Sequence, residues 1–214
     1  MTESRSERKR RANGEESRRR ILDAAAEVAG VRGYDGTSIA LVSEKCGLPA
    51  SSIYWHFKNK DDLLAAVIER SFDIWADALT LPGDDTDPAR ERVAALAGQV
   101  AKTLLDSPDF LRLGLMLTLE RRPEEPSARR MFLQVRNTAR ARLAAVLATL
   151  APDADRDAID LVTTYAIAGA DGLFIAKEIG GDSIDLMPLF DLHARALYDA
   201  VTRLTGRSAA TEIP

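Results

Sequence analysis

The sequence predicts an all-α protein of about nine helices, and three observations carry that expectation. Apolar residues recur at helical spacing along nearly the whole chain. Glycine and proline punctuate the periodic stretches, and no stretch alternates apolar and polar side chains as a half-buried strand would. With 214 residues and 46% hydrophobic content the chain can bury a substantial core, as one medium domain or a small domain joined to a larger one. No internal repeat is visible.

The first helix is expected from Glu16 to about Val31, where Ile21, Leu22, Ala25, Val28 and Ala29 form one apolar stripe that breaks at Gly33. Thr37 reads as the N-cap of a short second helix, Ser38 to about Cys46, with Ile39, Val42 and Cys46 on one face. Gly47 stops it. Pro49 suits the start of a third helix, which ASSIYWHF extends for about two turns. Asn59 caps a fourth, with Asp62 completing a variant capping pair, and Leu64, Val67, Ile68, Phe72 and Trp75 turned inward as far as about Leu79.

Beyond the turn LPGDDTDP, a fifth helix should run from near Pro88 to Ser107 and Pro108. The next stretch, FLRLGLMLTLE, is apolar on nearly every side, so other helices should enclose it. After RRPEEP, a long helix from Ser127 to Leu150 directs Phe132, Val135, Ala139, Leu143 and Val146 inward and its arginines outward. Helices from Asp155 to about Ile179 and from Met187 to about Leu204 close the fold, and the tail GRSAATEIP should be mobile.

Composition removes several function classes. The single cysteine, Cys46, excludes an internal disulfide framework, and it reads as a small core residue rather than a redox sensor. Two histidines spread across the chain offer no cluster with metal-ligand spacing, so neither a metal nor a cofactor is expected. An enzyme is not expected either: no nucleophile, base and orienting group fall together, and no glycine-rich phosphate loop occurs. No apolar run reaches the ~18 residues of a bilayer span, because YAIAGADGLFIA is short and interrupted by Asp171. The basic amino terminus leads into no apolar signal segment, and a cytoplasmic protein without a membrane partner is the expectation.

The net charge of −4 conceals an uneven distribution. Residues 1–60 carry 12 Lys and Arg against 8 Asp and Glu, a net +4, and the remainder is −8. A basic end on an acidic body suits a part that touches a polyanion and a part that does not. Within the basic end, SSIYWHFKNK places Tyr54, Trp55, His56 and Phe57 in succession ahead of Lys58 and Lys60. Helices two and three, joined through Cys46-Gly47-Leu48, have the size and spacing of a helix-turn-helix whose second helix enters a major groove. Ala50, Ser51 and Ser52 let its first turn approach base edges, while Ile53 and Phe57 must turn inward.

The segment GYDGTSIALVSEKCGLPASSIYWHFKNKDDLL resembles the DNA-binding region of the tetracycline-repressor (TetR) family, with its Tyr-x-His-Phe followed by Lys at the start of a long helix. The resemblance spans roughly residues 16–64; beyond that only the helical pattern agrees. It implies that Thr37, Ser38, Tyr54, His56 and Lys60 hold backbone phosphates, that Trp55 packs along the sugar-phosphate edge, and that Pro49, Ala50, Ser51, Ser52 and Lys45 meet bases. One departure stands out. No Arg, Asn or Gln occurs from Pro49 to Phe57, so bidentate base readers are missing there. A basic arm carrying Arg8, Lys9, Arg10 and Arg11 is expected either to enter a minor groove or to add only diffuse attraction.

The resulting division is a mobile basic arm over 1–15, a helix-turn-helix domain over 16–60, an effector-binding and dimerisation domain over 61–205, and a mobile tail over 206–214. Family resemblance implies a homodimer on a palindromic DNA operator, acting as a ligand-responsive regulator and as a repressor first. A regulator without an effector and an activator are the alternatives. Ala166, Gly169, Ala170, Leu189, His193, Leu197, Ala200 and Val201 are the expected dimer face, His193 being a core or interface histidine. Phe72, Trp75, Phe110, Met116, Met131, Phe132, Tyr165 and Phe174 are candidates to line a cavity for a small, largely apolar effector. Asp171 needs a partner if buried and is expected to face that pocket, a partner subunit or water.

Overall fold

The computed structural model describes residues 5–76, 88–120 and 124–210, with side chains over 11–73, 75–76, 88–120 and 124–203. The described residues form nine α-helices and no strand: α1 Arg5–Gly36, α2 Ile39–Cys46, α3 Ala50–His56, α4 Lys60–Ala76, α5 Ala89–Asp106, α6 Asp109–Leu119, α7 Ser127–Leu150, α8 Arg156–Gly180 and α9 Leu186–Ala210. A 3₁₀ turn, Gly181–Ser183, precedes α9. The expected end of the fourth helix at Leu79, the turn LPGDDTDP up to residue 87, part of RRPEEP, the side chains of Arg8, Lys9 and Arg10, and residues 211–214 lie outside the described residues.

Most helix ends obey the chemistry that predicts them. Asn59 Oδ1 accepts from Asp62 N–H at 2.8 Å, and Asp62 reaches back to Lys58 N–H at 3.1 Å, a reciprocal cap one residue displaced from the usual form. Asp155 Oδ1 accepts from Ala158 N–H at 2.7 Å and starts α8. Two boundaries differ from the sequence reading. α1 begins at Arg5, well ahead of Glu16, so residues 5–15 continue the first helix, and α9 runs on through residues 206–210. The helical path of α1 is interrupted at Gly33, φ 67°, a left-handed value that favours glycine.

The chain clusters into two compact units. One takes the chain up to Asp73 together with Pro108–Val135; the other takes Ile74–Ser107 together with Arg136 onward. The expected boundary at residue 60 is therefore not where contacts divide, because α6 packs on α1 and stays with the first unit. In that unit Ile21, Leu22, Ala25, Val42, Ile53, Phe57, Leu63 and Val67 share one core. α7 starts against it: Asp61, in the first turn of α4, accepts from Ser127 N–H at 2.6 Å, Ala128 N–H at 3.1 Å and Tyr34 O–H at 3.2 Å. Burial raises the pKa of Asp61, but these hydrogen bonds outweigh it and hold the group below its ordinary value. In the second unit α9 packs against α5 and α8, around Leu147, Ala151, Ile159, Val162, Ala166 and Leu197.

Candidate nucleic-acid interface

The turn between α2 and α3 is fixed by three hydrogen bonds. Gly47 adopts φ 66°, ψ 23°, and its N–H donates to Ser43 O at 3.0 Å, closing α2 in a left-handed cap that favours glycine. Ser43 O–H donates to Leu48 O at 2.6 Å, and Arg20 on α1 donates to Cys46 O at 2.7 Å. Pro49 then takes the N-cap position of α3, extended at ψ 150°, just before the first helical residue. Ile53 and Phe57 are buried on α1, so the remaining face of this short helix is directed to solvent. Tyr54 is 56% exposed and Trp55 76%; Pro49 and Ser51 are exposed, and Ala50 and Ser52 half-buried. These residues lie together on and beside α3.

Among the expected DNA-contacting residues, Thr37 is turned inward, and Lys60 and Lys45 have partners within the protein. Thr37 is 2% exposed, and its hydroxyl donates to Gly33 O at 2.6 Å, which makes it a fastener of the α1 to α2 turn rather than a surface ligand. Ser38, not Thr37, caps α2, with Oγ accepting from Leu41 N–H at 3.3 Å. Lys60 bends back, donating to Tyr34 O at 2.9 Å with its ammonium 4.5 Å from the Tyr34 ring centre. Lys45 is half exposed and pairs with Glu27 of α1.

His56 is half-buried and lies 2.8 Å from Ser17 Oγ. Ser17 Oγ also lies 2.9 Å from Gly14 O, so this one hydroxyl bridges the α1 backbone and the His56 ring. Burial, then the neighbouring Arg18 charge, lowers the His56 pKa. Sequence reasoning missed Ser17, although Arg11, Gly14 and Arg18 share its side of α1 at three- and four-residue spacing, a signal hidden by taking residues 1–15 as an arm.

Residues 21–67 match the family model of bacterial regulatory proteins, tetR family. This segment is similar to the amino-terminal, DNA-binding region of the TetR family. Over 61 residues it is 39% identical to the HTH-type transcriptional regulator SrpR of Pseudomonas putida, covering 28% of this chain and 29% of that protein. Over 101 residues it is 33% identical to an HTH-type transcriptional repressor of Mycobacterium tuberculosis, covering 47% and 38%. The alignments thus span roughly a third of these curated relatives' length. The transcriptional regulator FadR of Bacillus subtilis, solved in complex with stearoyl-CoA, has the same fold, with a TM-score of 0.68, 18% identity and coverage of 83% of this chain and 96% of that one.

Outside residues 21–67 the expected sites are arranged differently from the sequence reading. Phe72, Phe110 and Phe132 are buried and stack on one another within the first unit, at 5.9 and 5.5 Å between ring centres. Met116 is half exposed beside Gly33, and Met131 is half-buried. Trp75, Tyr165, Asp171 and Phe174 belong to the second unit; Phe174 is buried there, while Tyr165 is exposed rather than interior. Asp171 has its partner in Arg136, whose guanidinium grips the carboxylate with two hydrogen bonds. Burial raises the Asp171 pKa, partly offset by Arg136.

The expected dimer face is mostly the inner seam between α8 and α9. Ala166 and Leu197 are buried in the second unit's core. A Cβ on Gly169 would fall 2.2 Å from His193 Cε1, and His193 Nε2–H donates to Ala166 O at 3.0 Å. Ala170, Leu189, Ala200 and Val201 are half-buried. The exposed stripe lies on the other side of α8: Leu161 (62% exposed), Tyr165, Ala168, Gly172, Ile175 and Ile179 (82%) recur at helical spacing with no charge among them. By length and composition the stretch Arg156–Ser183 is also apolar enough to cross a membrane, which corrects the expectation that no such run exists.

Proposed function

We propose that the chain is a ligand-responsive repressor that binds a palindromic DNA operator as a homodimer and is released by a small, largely apolar effector. The observation that carries the DNA reading is α3, whose serines and exposed Tyr54 and Trp55 form one solvent face backed by buried Ile53 and Phe57. Such a face suits insertion into a major groove, with hydroxyls toward bases and Tyr54, Trp55 and Lys58 toward the backbone. The named repressor among its relatives favours repression over activation.

Homodimerisation is supported by the uncharged outer stripe of α8, because an apolar face of that length is costly in water and a second copy buries it symmetrically. The same argument assigns the stripe to a partner helix rather than to lipid, since Arg136 and Asp171 hold a charge pair midway along α8. An apolar effector is supported by the stearoyl-CoA bound to FadR, a protein of the same fold. A ligand that tilts α4 would change the separation of two recognition helices and release DNA by favouring the unbound state. The Phe72, Phe110 and Phe132 stack favours the second reading, a regulator without an effector.

Selection of sites from random duplex DNA tests the main proposal. Recovery of an inverted repeat, together with a dimer mass in solution, is expected; a monomer indifferent to every duplex at low salt would overturn it.

A further inference from the structure

The amino-terminal half of α1 lies ahead of the apolar stripe that packs this helix. Residues 11–20 are all exposed or half-buried, and the first core residue is Ile21. Gly14 nevertheless sits inside the helix, at a cost of about 1 kcal/mol relative to alanine. Packing does not demand it: a Cβ there would lie 3.8 Å from the Trp55 ring, an ordinary contact. The edge of the indole thus rests close against the bare backbone of Gly14.

Two depressions meet at that indole. One is lined by Arg11, Gly14, Glu15, Arg18, Trp55 and His56, the other by Ser17, Ser51, Ser52, Trp55 and His56. Sharing Trp55 and His56, they form one strip that runs from the serines of α3 to two guanidinium groups on α1, against a single carboxylate. Arg18 is seated 5.5 Å from the Phe57 ring centre, which holds its charge beside the strip.

We infer that the amino-terminal half of α1 and Trp55 form a second phosphate seat, which takes the phosphodiester backbone of the same DNA duplex next to the bases reached by α3. The inference rests on the DNA-binding reading. Arg11 and Arg18 hold phosphate oxygens, and the solvent-exposed face of the Trp55 indole lies along the sugar edge. The continuity with Ser51 and Ser52 selects duplex DNA among phosphate carriers. Unlike an arm threaded into a minor groove, this seat adds affinity and salt dependence without reading sequence.

Arg11→Gln and Gly14→Leu test it, with a selected duplex and a random-sequence duplex as probes. Arg11→Gln should weaken binding to both duplexes by about 5- to 10-fold and lower the slope of log affinity against log salt by about 1, leaving their affinity ratio unchanged. Gly14→Leu, which puts a branched side chain where the Trp55 ring edge rests and so displaces the indole, should weaken both at undiminished helical content. Wild-type affinity and slope in both variants would overturn the seat while leaving DNA binding by α3 intact. A changed ratio between the duplexes in Arg11→Gln would overturn it in favour of base reading. If the wild-type protein bound neither duplex, the DNA reading itself would fall, and the seat with it.

Discussion

Trp55 on α3 and Ile179 on α8 are about equally exposed, yet their surroundings are opposite. Around Trp55 stand Arg11, Arg18, His56, Glu15 and three serines; along α8 from Ile179, at helical spacing, stand Ile175, Gly172 and Ala168. Exposure alone therefore does not identify a partner. A large side chain bordered by cations suits a polyanion that is approached and left, whereas an uncharged stripe suits a surface of its own kind.

Ionic strength should separate the two faces most widely. Raising salt from about 50 to 200 mM should lower DNA affinity by on the order of 10³ if six or more phosphates are neutralised, and should barely move the dimer dissociation constant. Titrations of duplex and of self-association, run side by side, check both. Ile175→Glu should then act on one face alone. It places a carboxylate twice in a symmetric apolar interface, so the dimer constant should rise at least about 100-fold in sedimentation experiments. A dimer that withstands the change would remove α8 from the interface.

Gly169→Val tests the inner seam, as opposed to the outer stripe. With its Cβ directed at a His193 ring that is tethered to Ala166 O, overpacking should cost about 1–3 kcal/mol and lower the melting temperature, which Ile175→Glu should not do to the monomer. Thr37→Val makes the corresponding division in the first unit. The buried hydroxyl is lost and Gly33 O loses its donor, at a cost of about 1–2 kcal/mol by chemical denaturation, while the salt slope of DNA binding stays constant. A reduced slope instead would return Thr37 to the phosphate-binding set.

The smallest effect concerns Asp61. Its folded pKa lies below the ordinary carboxylate value, so near pH 4 the unfolded chain binds more protons. The stabilisation is complete above the unfolded value and is lost as pH falls through the folded one. Asp61→Asn should thus be less stable than wild type at pH 7, with the gap closing below about pH 4. A gap independent of pH would mean that the carboxylate charge contributes nothing to capping α7.

Much of the fold was legible because helix ends carry local chemistry. Asn59 with Asp62, Asp155, and Gly47 each satisfy or terminate backbone groups within a few residues of themselves. The same local logic misplaced the N-cap of α2, since Thr37 and Ser38 are equivalent as types and only the carbonyl of Gly33 distinguishes them. The recognition face of α3 was legible from the inward pull of Ile53 and Phe57. The contribution of α1 was not, because nothing in residues 11–18 is apolar enough to announce a helix face.

From the order of residues alone came the helical class, the helix-turn-helix with its family, and the excess of positive charge at the amino-terminal end. These depend on periodicity, caps and motif spacing, all of which act over a turn or two of chain. Tertiary structure alone decided which side of α8 is inner and which outer, that Arg136 answers Asp171, and that Ser17 holds His56. Those facts join residues far apart in sequence, and a helical period tells that a face is apolar without telling which neighbour covers it.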